Sequence, residues 1–225
     1  MKREVIETAD GSNTIYIPEM SENYHSYHGA LQEAQHVFIK NGLQLFKEKK
    51  EVHIFEMGFG TGLNALLSMV EGNRVNQKIF YTGIEAFPLE MEIIQKIGYE
   101  SFVDNEFNKS FKEMHLSKWD QKHTFSDTFS FEKIHAKIQD YAVLEDTKDL
   151  VYFDAFGPRA QEEIWGISIL EKMHRILKPG GVFVTYCAKG QVKRDLKSLG
   201  FELEILEGPP GKREMTRAIK SRHIS

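Results

Sequence analysis

A β-prone run that meets three alternate glycines and resumes as a helix restricts this chain more than any other feature. Residues 52–70, "VHIFEMGFGTGLNALLSMV", have that form. Strand, glycine loop and helix make the opening unit of nucleotide-binding α/β sheets, whose ligands sit beyond the carboxyl ends of the strands. Glycine there lets the backbone approach the ligand and adopt conformations closed to residues with a Cβ. Spacing separates the candidates. A dinucleotide loop follows G-x-G-x-x-G, whose extra length serves a pyrophosphate docked on the helix N-terminus. Here Gly58, Gly60 and Gly62 give G-x-G-x-G, and Leu63 stands in the third glycine's place. With Glu56 ahead of it, the compact loop suits a cofactor that carries an ammonium, attracted to Glu56, and a carboxylate, bound by backbone N–H groups. A glycine-rich turn without a ligand is the alternative.

The rest of the chain alternates in the same manner. Strands are expected at 52–57, 79–84, 133–138, 149–154, 182–187 and 201–207, and helices at about 62–71, 88–97, 161–177 and 190–199. Runs such as "LVYFDAF" and "GVFVTYC" are apolar without clean alternation, as strands covered on both faces should be. Strand–helix alternation over this length implies a mostly parallel sheet with right-handed crossovers. Ahead of it, "REVIETADGSNTIYIP" predicts a hairpin around Asp10-Gly11, and "HGALQEAQHVFIKNGLQLF" a helix broken near Asn41-Gly42. Residues 1–50 are therefore expected to form an extension packed on a core of 51–225. The stretch 99–130 has no clear period and is expected to be an insertion.

Bulk properties exclude several classes. At 225 residues one domain is expected. The single Cys187 excludes an intramolecular disulfide, fits a reducing compartment, and in an apolar run is expected to be core. The N-terminus lacks the apolar core of a signal peptide, and no apolar run approaches the ~20 residues that span a bilayer. A cytoplasmic protein is expected. The net charge of −4 disfavours nonspecific nucleic-acid binding. Its distribution is uneven: from Lys172 onward there are twelve basic residues against five acidic ones. Such a C-terminal part can bind a polyanion on one face or can simply be solvated surface. The nine histidines show no metal-ligand spacing, and no metal is expected.

Acidic residues recur at the expected strand ends. Glu85 follows the second strand, where a carboxylate can accept both ribose hydroxyls, a device that dinucleotide enzymes share. Asp140 is expected to end the third strand and to accept a hydrogen bond from an adenine amino group; helix capping is its alternative role. Asp154 ends the fourth strand in "LVYFDAFGPR", and "ILKPGGVFVTY" introduces the fifth. Phe59, Thr61 and Asn64, within and just after the glycine loop, complete the set expected at the cofactor.

This order of elements resembles the class I S-adenosylmethionine-dependent methyltransferases over residues 51–225. A narrower likeness lies in "GFGTGLN", "EAFP", "DAFGPRAQEEIW", "LKPGGVFVTYCAKGQVKRDLKSLGF" and "GPPGKREM", with "YHSYHGALQEAQHVFI" as lead-in. These blocks resemble the MnmC-type methyltransferases that complete 5-methylaminomethyl-2-thiouridine in tRNA, including their stand-alone form. The resemblance implies a Rossmann-like, seven-stranded sheet with its last strand antiparallel and helices on both faces. It also implies S-adenosylmethionine as cofactor and the tRNA anticodon region as partner, with the aminomethyl nitrogen of the wobble uridine as methyl acceptor. Bifunctional relatives carry an FAD-dependent oxidase; this chain is expected to lack it and to receive the aminomethyl form by another route. A monomer is expected.

Methyl transfer from a sulfonium needs a neutral nucleophile about 3 Å from the methyl carbon, whereas an alkyl amine is mostly protonated at neutral pH. Asp154 is the expected catalytic residue, holding the amine or taking its proton. Phe156, with Gly157 and Pro158 shaping its loop, is expected either to stack on the uracil or to serve as a core or lid residue. Tyr24 and His25 are candidates to close over the site. Lys189, Lys212 and Arg213 supply a basic face beside Glu214 and Met215, and Lys193-Arg194 is either part of it or an ordinary helix surface. Three rival readings remain at this point: a same-fold transferase for another amine, including aminopropyl transfer; an NAD(P)-dependent oxidoreductase; and a non-catalytic RNA-binding module.

Overall fold

The computed structural model describes residues 2–222. The N-terminal extension forms a three-stranded antiparallel sheet from β1 (Glu4–Glu7), β2 (Asn13–Ile17) and β3 (Glu22–Asn23). The expected hairpin turns at Asp10-Gly11, where Asp10 Oδ1 accepts from Thr8 Oγ1 and Ser12 N and fixes the turn. The expected broken helix is α1 (Ala30–Ala34), continued by a π-helical turn over Gln35–Lys40 and a 3₁₀ turn over Leu43–Phe46.

Eight strands form the main sheet. They are β4 (Glu51–Met57), β5 (Lys78–Glu85), β6 (Lys122–Ser126), β7 (Phe129–His135), β8 (Lys148–Phe153), β9 (Leu177–Thr185), β10 (Phe201–Glu207) and β11 (Glu214–Lys220). Their order is β10-β11-β9-β8-β4-β5-β7-β6. The five central strands are parallel, and β6 and β11 run antiparallel to their neighbours. The helices are α2 (Leu63–Arg74), α3 (Met91–Ile97), α4 (Asn105–Leu116), α5 (Ile167–Ile176) and α6 (Gly190–Ser198). One sheet face packs on α2 and α4 through Ile54, Tyr81, Phe131 and Tyr152; the other packs on α5 and α6 through Phe55, Val151, Phe153 and Phe183. Each of these aromatic side chains contributes about 2–3 kcal/mol by leaving water.

Two expectations need correction. The sheet has eight strands, not seven, because the stretch expected to be an insertion supplies α4 and the edge strand β6. Phe107, Phe111 and Met114 put one apolar stripe on α4, but eight of its twelve residues are polar or charged and mask the period. The buried Lys133 of β7 ties α4 down by donating to the His115 carbonyl at 2.5 Å. The third central strand also begins and ends earlier than expected. Its register runs from Ile79↔Phe129 to Glu85↔His135, so Asp140 lies in a turn beyond the strand, where its amide bonds the Lys137 carbonyl.

Gln77 joins the extension to the core: its buried Nε2 donates to the Phe46 and Lys49 carbonyls, both at 2.6 Å. Gln77→Ala leaves those acceptors without a donor and should cost about 1–3 kcal/mol, measured as a shift of the denaturation midpoint at unchanged slope.

Candidate functional site

The carboxyl ends of β4, β5 and β8 meet at the glycine loop. Gly58 and Phe59 donate their amides to the Ile84 carbonyl at 3.1 and 3.0 Å, and the Asp154 amide donates to the Met57 carbonyl at 3.0 Å. Gly58, Gly60 and Gly62 all have positive φ, at 88°, 49° and 74°. A Cβ on Gly58 would stand 2.5 Å from the Asp154 carbonyl oxygen, and one on Gly60 3.3 Å from the Tyr24 ring. Only glycine admits this proximity. Gly62 caps α2, which carries Asn64 inward.

Above the loop lies a cavity of about 460 Å³. Gly58, Gly60 and Glu85 form one side, Phe87, Ile138 and Gln139 a second, and Asp154 and Phe156 a third. Tyr24 from the extension closes it, with its ring edge-on to Phe156 at 5.0 Å and 83°. The Glu85 carboxylate accepts from the Gly60 amide at 2.9 Å and the Phe87 amide at 2.8 Å. Both oxygens keep capacity to accept a further donor.

Behind the loop two carboxylates share one amide. Asn64 Nδ2 donates to Glu56 Oε1 at 2.9 Å and to Asp154 Oδ2 at 2.8 Å. Burial pushes the Asp154 carboxyl up to about 7, with Glu33 adding to the rise and the bond from Asn64 opposing it. Burial, and then the nearby Asp154, raise Glu56 well above the usual carboxylate range. Glu56 Oε2, Asn64 Oδ1 and the Tyr81 hydroxyl are buried without a close hydrogen-bond partner among the described residues, and Tyr81 lies near enough to Glu56 to oppose the rise in its proton affinity. Buried acceptors of this kind are costly unless a donor meets them. Two such acceptors beside a glycine loop fit a ligand that carries an ammonium, and Glu85 fits its hydroxyls.

The remaining expected residues divide. Phe59 is buried against His115 and Phe131, and Thr61 is buried with its carbonyl bonded to His115 Nε2; both shape the loop from beneath. Gly157 and Pro158 form the turn behind Phe156, where the Gly157 carbonyl accepts from Ala160 and Gln161. Lys212 reaches Glu33 and lies 3.7 Å from the centroid of the Tyr186 ring. Lys189 is exposed at the start of α6, and the Arg213 side chain is 94% exposed. Glu214 pairs with Lys193 at 2.8 Å, and Arg194 bonds Gln191.

Of the expected residues, Tyr24, Gly58, Gly60, Glu85, Asp154 and Phe156 line the cavity, whereas Asp140, His25 and Met215, among others, do not. Asp140 is carried past it by the early end of β7, and Ile138 and Gln139 line the position instead. His25 is buried between the extension and Tyr99, with Nδ1 3.3 Å from Tyr99 Oη, and burial lowers its pKa to about 4. Met215 packs in the core from β11 and is fully buried, as is its neighbour Thr216. Cys187 is buried just beyond the end of β9.

Sequence reading missed Arg3, Glu33, Phe87 and Tyr186. Arg3 lines the cavity and donates to the Phe87 carbonyl at 3.1 Å, while Tyr186 Oη donates to the Ala155 carbonyl at 2.7 Å. Glu33, Phe87 and Tyr186 lie within the blocks that carry the family resemblance, but nothing in those blocks singles them out, and Arg3 lies in none; their convergence in the fold marks them. Among the described residues no group of three or more His, Cys, Asp or Glu side chains is placed to hold a metal ion. No helix there is long and apolar enough to cross a membrane.

Known proteins resemble this chain. A family described as S-adenosyl-L-methionine-dependent methyltransferase matches residues 101–221. The tRNA 5-methylaminomethyl-2-thiouridine biosynthesis bifunctional protein MnmC of Paraburkholderia xenovorans is 26% identical over 218 residues, covering 91% of this chain and 33% of its own length. Its counterpart in Cupriavidus metallidurans is 29% identical over 220 residues, covering 91% of this chain and 32% of its own. The chain thus spans about a third of the length of these curated relatives. The crystal structure of MNMC2 from Aquifex aeolicus superposes with a TM-score of 0.80 at 24% identity, covering all of this chain and 72% of that one, which establishes a common fold.

Proposed function

Because the chain belongs to the S-adenosyl-L-methionine-dependent methyltransferases, we propose that its acceptor is the aminomethyl nitrogen of 5-aminomethyl-(2-thio)uridine at wobble position 34 of tRNA, converted to 5-methylaminomethyl-(2-thio)uridine. The observation that carries this reading is Asp154, a carboxylate on the cavity wall beside the glycine loop, fixed by Asn64 and with its proton affinity raised. The names of the relatives, matched over nine-tenths of this chain, support the choice of acceptor.

Glu56 and Asn64 are the acceptors for the cofactor's ammonium and Glu85 binds its ribose, whereas the amides of Gly58, Phe59, Gly60 and Gly62, expected to take its carboxylate, are bonded within the protein. Ile138 and Gln139 flank the adenine. Bound there, S-adenosylmethionine supplies a methyl group on a sulfonium, electrophilic toward a neutral amine. Asp154 accepts a hydrogen bond or a proton from the substrate nitrogen and aims its lone pair. Phe156, braced edge-on by Tyr24, offers a ring face to the uracil. Residues 1–50 act as an extension that covers a core of 51–225. The exposed Lys189 and Arg213 contact tRNA phosphates, while Lys212 holds the extension through Glu33 and Glu214 positions Lys193.

The test is direct. The protein is incubated with labelled S-adenosylmethionine and tRNA bearing 5-aminomethyl-(2-thio)uridine at position 34, and the nucleosides are analysed by mass. Label in the methylaminomethyl nucleoside is expected. Intact cofactor binding without that product rejects the acceptor and favours a different amine.

A further inference from the structure

The connection from β7 to β8, residues 136–147, contains no helix. Part of the sheet face that α5 and α6 cover elsewhere is therefore bare over the early residues of β4, β5 and β7. A cleft of about 610 Å³ opens there, at the opposite end of the strands from the catalytic cavity. Strand periodicity sets polar groups into this otherwise mostly apolar cleft: Phe129 and Phe131 of β7 pack in the core of the opposite face, whereas Ser130 and Glu132 face this side.

The cleft joins an aromatic wall to ammonium groups. His53 and Phe80, opposite each other in the β4–β5 register, are stacked with centroids 4.6 Å apart and planes 12° apart. Tyr141 lines the same space. Lys148 Nζ donates to Thr82 Oγ1 at 2.7 Å, and no carboxylate lies within ion-pair distance of it among the described residues. Burial lowers its pKa to about 8, with Glu132 and Asp149 opposing that and Lys122 and Lys178 adding to it, so it is a cation near neutral pH. Lys178 also reaches the cleft, held at 3.1 Å by Asp149, which binds Lys49 as well. Lys122 on β6 lies across from Glu132. Lys122, Lys148 and Lys178 thus face one cleft carboxylate, Glu132. A poorly solvated ammonium with donors to spare calls for an anionic acceptor, and an aromatic wall beside it calls for a planar ring.

We propose that this cleft binds one phosphorylated nucleoside unit, the phosphate at Lys148 and Lys178 and the base against the His53–Phe80 pair and Tyr141, with Glu132 accepting from a base N–H. The unit is either a free mononucleotide or one residue of an RNA strand. The site is distinct from the methyl-transfer cavity and does not depend on the identity of the methyl acceptor.

The experiment saturates the catalytic cavity with S-adenosylhomocysteine and then titrates the intact chain calorimetrically. One arm uses AMP, UMP and inorganic phosphate; the other uses a single-stranded RNA octamer. Binding of a mononucleotide or of the octamer is expected. It should weaken about 10-fold or more in Lys148→Met, as loss of a charged hydrogen bond implies, and about 5-fold or more in His53→Ala, through loss of stacking. Affinity for S-adenosylhomocysteine should be unchanged in both variants. A mononucleotide that binds assigns a free ligand, and binding of the octamer alone assigns an RNA strand. The proposal is overturned by absence of binding in both arms, by binding that either folded variant leaves intact, or by inorganic phosphate binding as tightly as the mononucleotides. If Lys148→Met does not fold, as judged by its thermal transition, His53→Ala alone decides.

Discussion

Asp154→Asn is expected to slow methyl transfer about 10²- to 10⁴-fold, the range for a lost acid–base group, with cofactor affinity changed no more than about threefold. Asparagine can still accept the bond that Asn64 gives at 2.8 Å, so the loop keeps its shape. What it loses is the ability to take a proton or to balance a positive nitrogen. The pH profile supplies a second readout. Burial raises the Asp154 carboxyl to about 7, so the wild-type rate should climb as pH rises through that value and Asp154 ionises. The variant should lack that inflection while keeping any rise due to the amine itself. Equal loss of rate and cofactor affinity would instead make Asp154 a cofactor or structural residue.

The same shift has a sign for stability. The folded value of about 7 lies above the ordinary value of 3.8, so between them the folded state holds a proton that the unfolded chain has released. Ionising Asp154 therefore costs stability progressively as pH rises through this window, and the cost is complete above about 7. Asp154→Asn should melt higher than wild type at pH 8, with the difference shrinking toward pH 4. A buried acid kept at the expense of stability fits the catalytic role proposed for Asp154.

Gly58→Ala is expected to reduce cofactor affinity about 100-fold or more, since a loop displaced by an ångström forfeits its oriented contacts. The positive φ of 88° costs a residue with a Cβ about 1–2 kcal/mol. The larger effect is steric, because the new atom would lie 2.5 Å from the Asp154 carbonyl oxygen and 3.2 Å from its carbon. Both are backbone atoms held by the Met57–Asp154 bond and the β4–β8 pairing, so the loop must move. Gly98 provides the control. Its φ is 66° with open space around its Cβ direction, so Gly98→Ala should carry the same dihedral strain, lower the melting temperature, and leave cofactor binding intact. Calorimetry with S-adenosylhomocysteine separates the two, and undiminished binding by Gly58→Ala would remove the loop from the cofactor site.

Much of this architecture was legible before any coordinates. The glycine loop, Glu85 and Asp154 follow from short-range signals: an apolar run, a forced positive φ, and a carboxylate where a strand stops. Asp140 was misplaced by a similar signal, because the ends of β7 are set by pairing with β5, and that partner lies some fifty residues away in the chain. The edge strand β6 escaped notice because its burial alternates only between half-covered and exposed, which leaves little apolar pattern to detect. His25 and Met215 sit in motif-like stretches, yet packing turned both side chains inward.

The sequence by itself determined most of the strand–helix alternation, the compact loop, and Glu85 and Asp154 at their strand ends, because periodicity and glycine geometry act over a few residues. Tertiary structure alone decided which side chains meet. Lys212 reaches Glu33 across 179 positions, and Tyr24 from the extension stands edge-on to Phe156. The raised proton affinity of Asp154 exists only once burial has removed its water and brought Glu33 near. Desolvation and long-range packing are properties of the folded surface, so no local pattern could announce them.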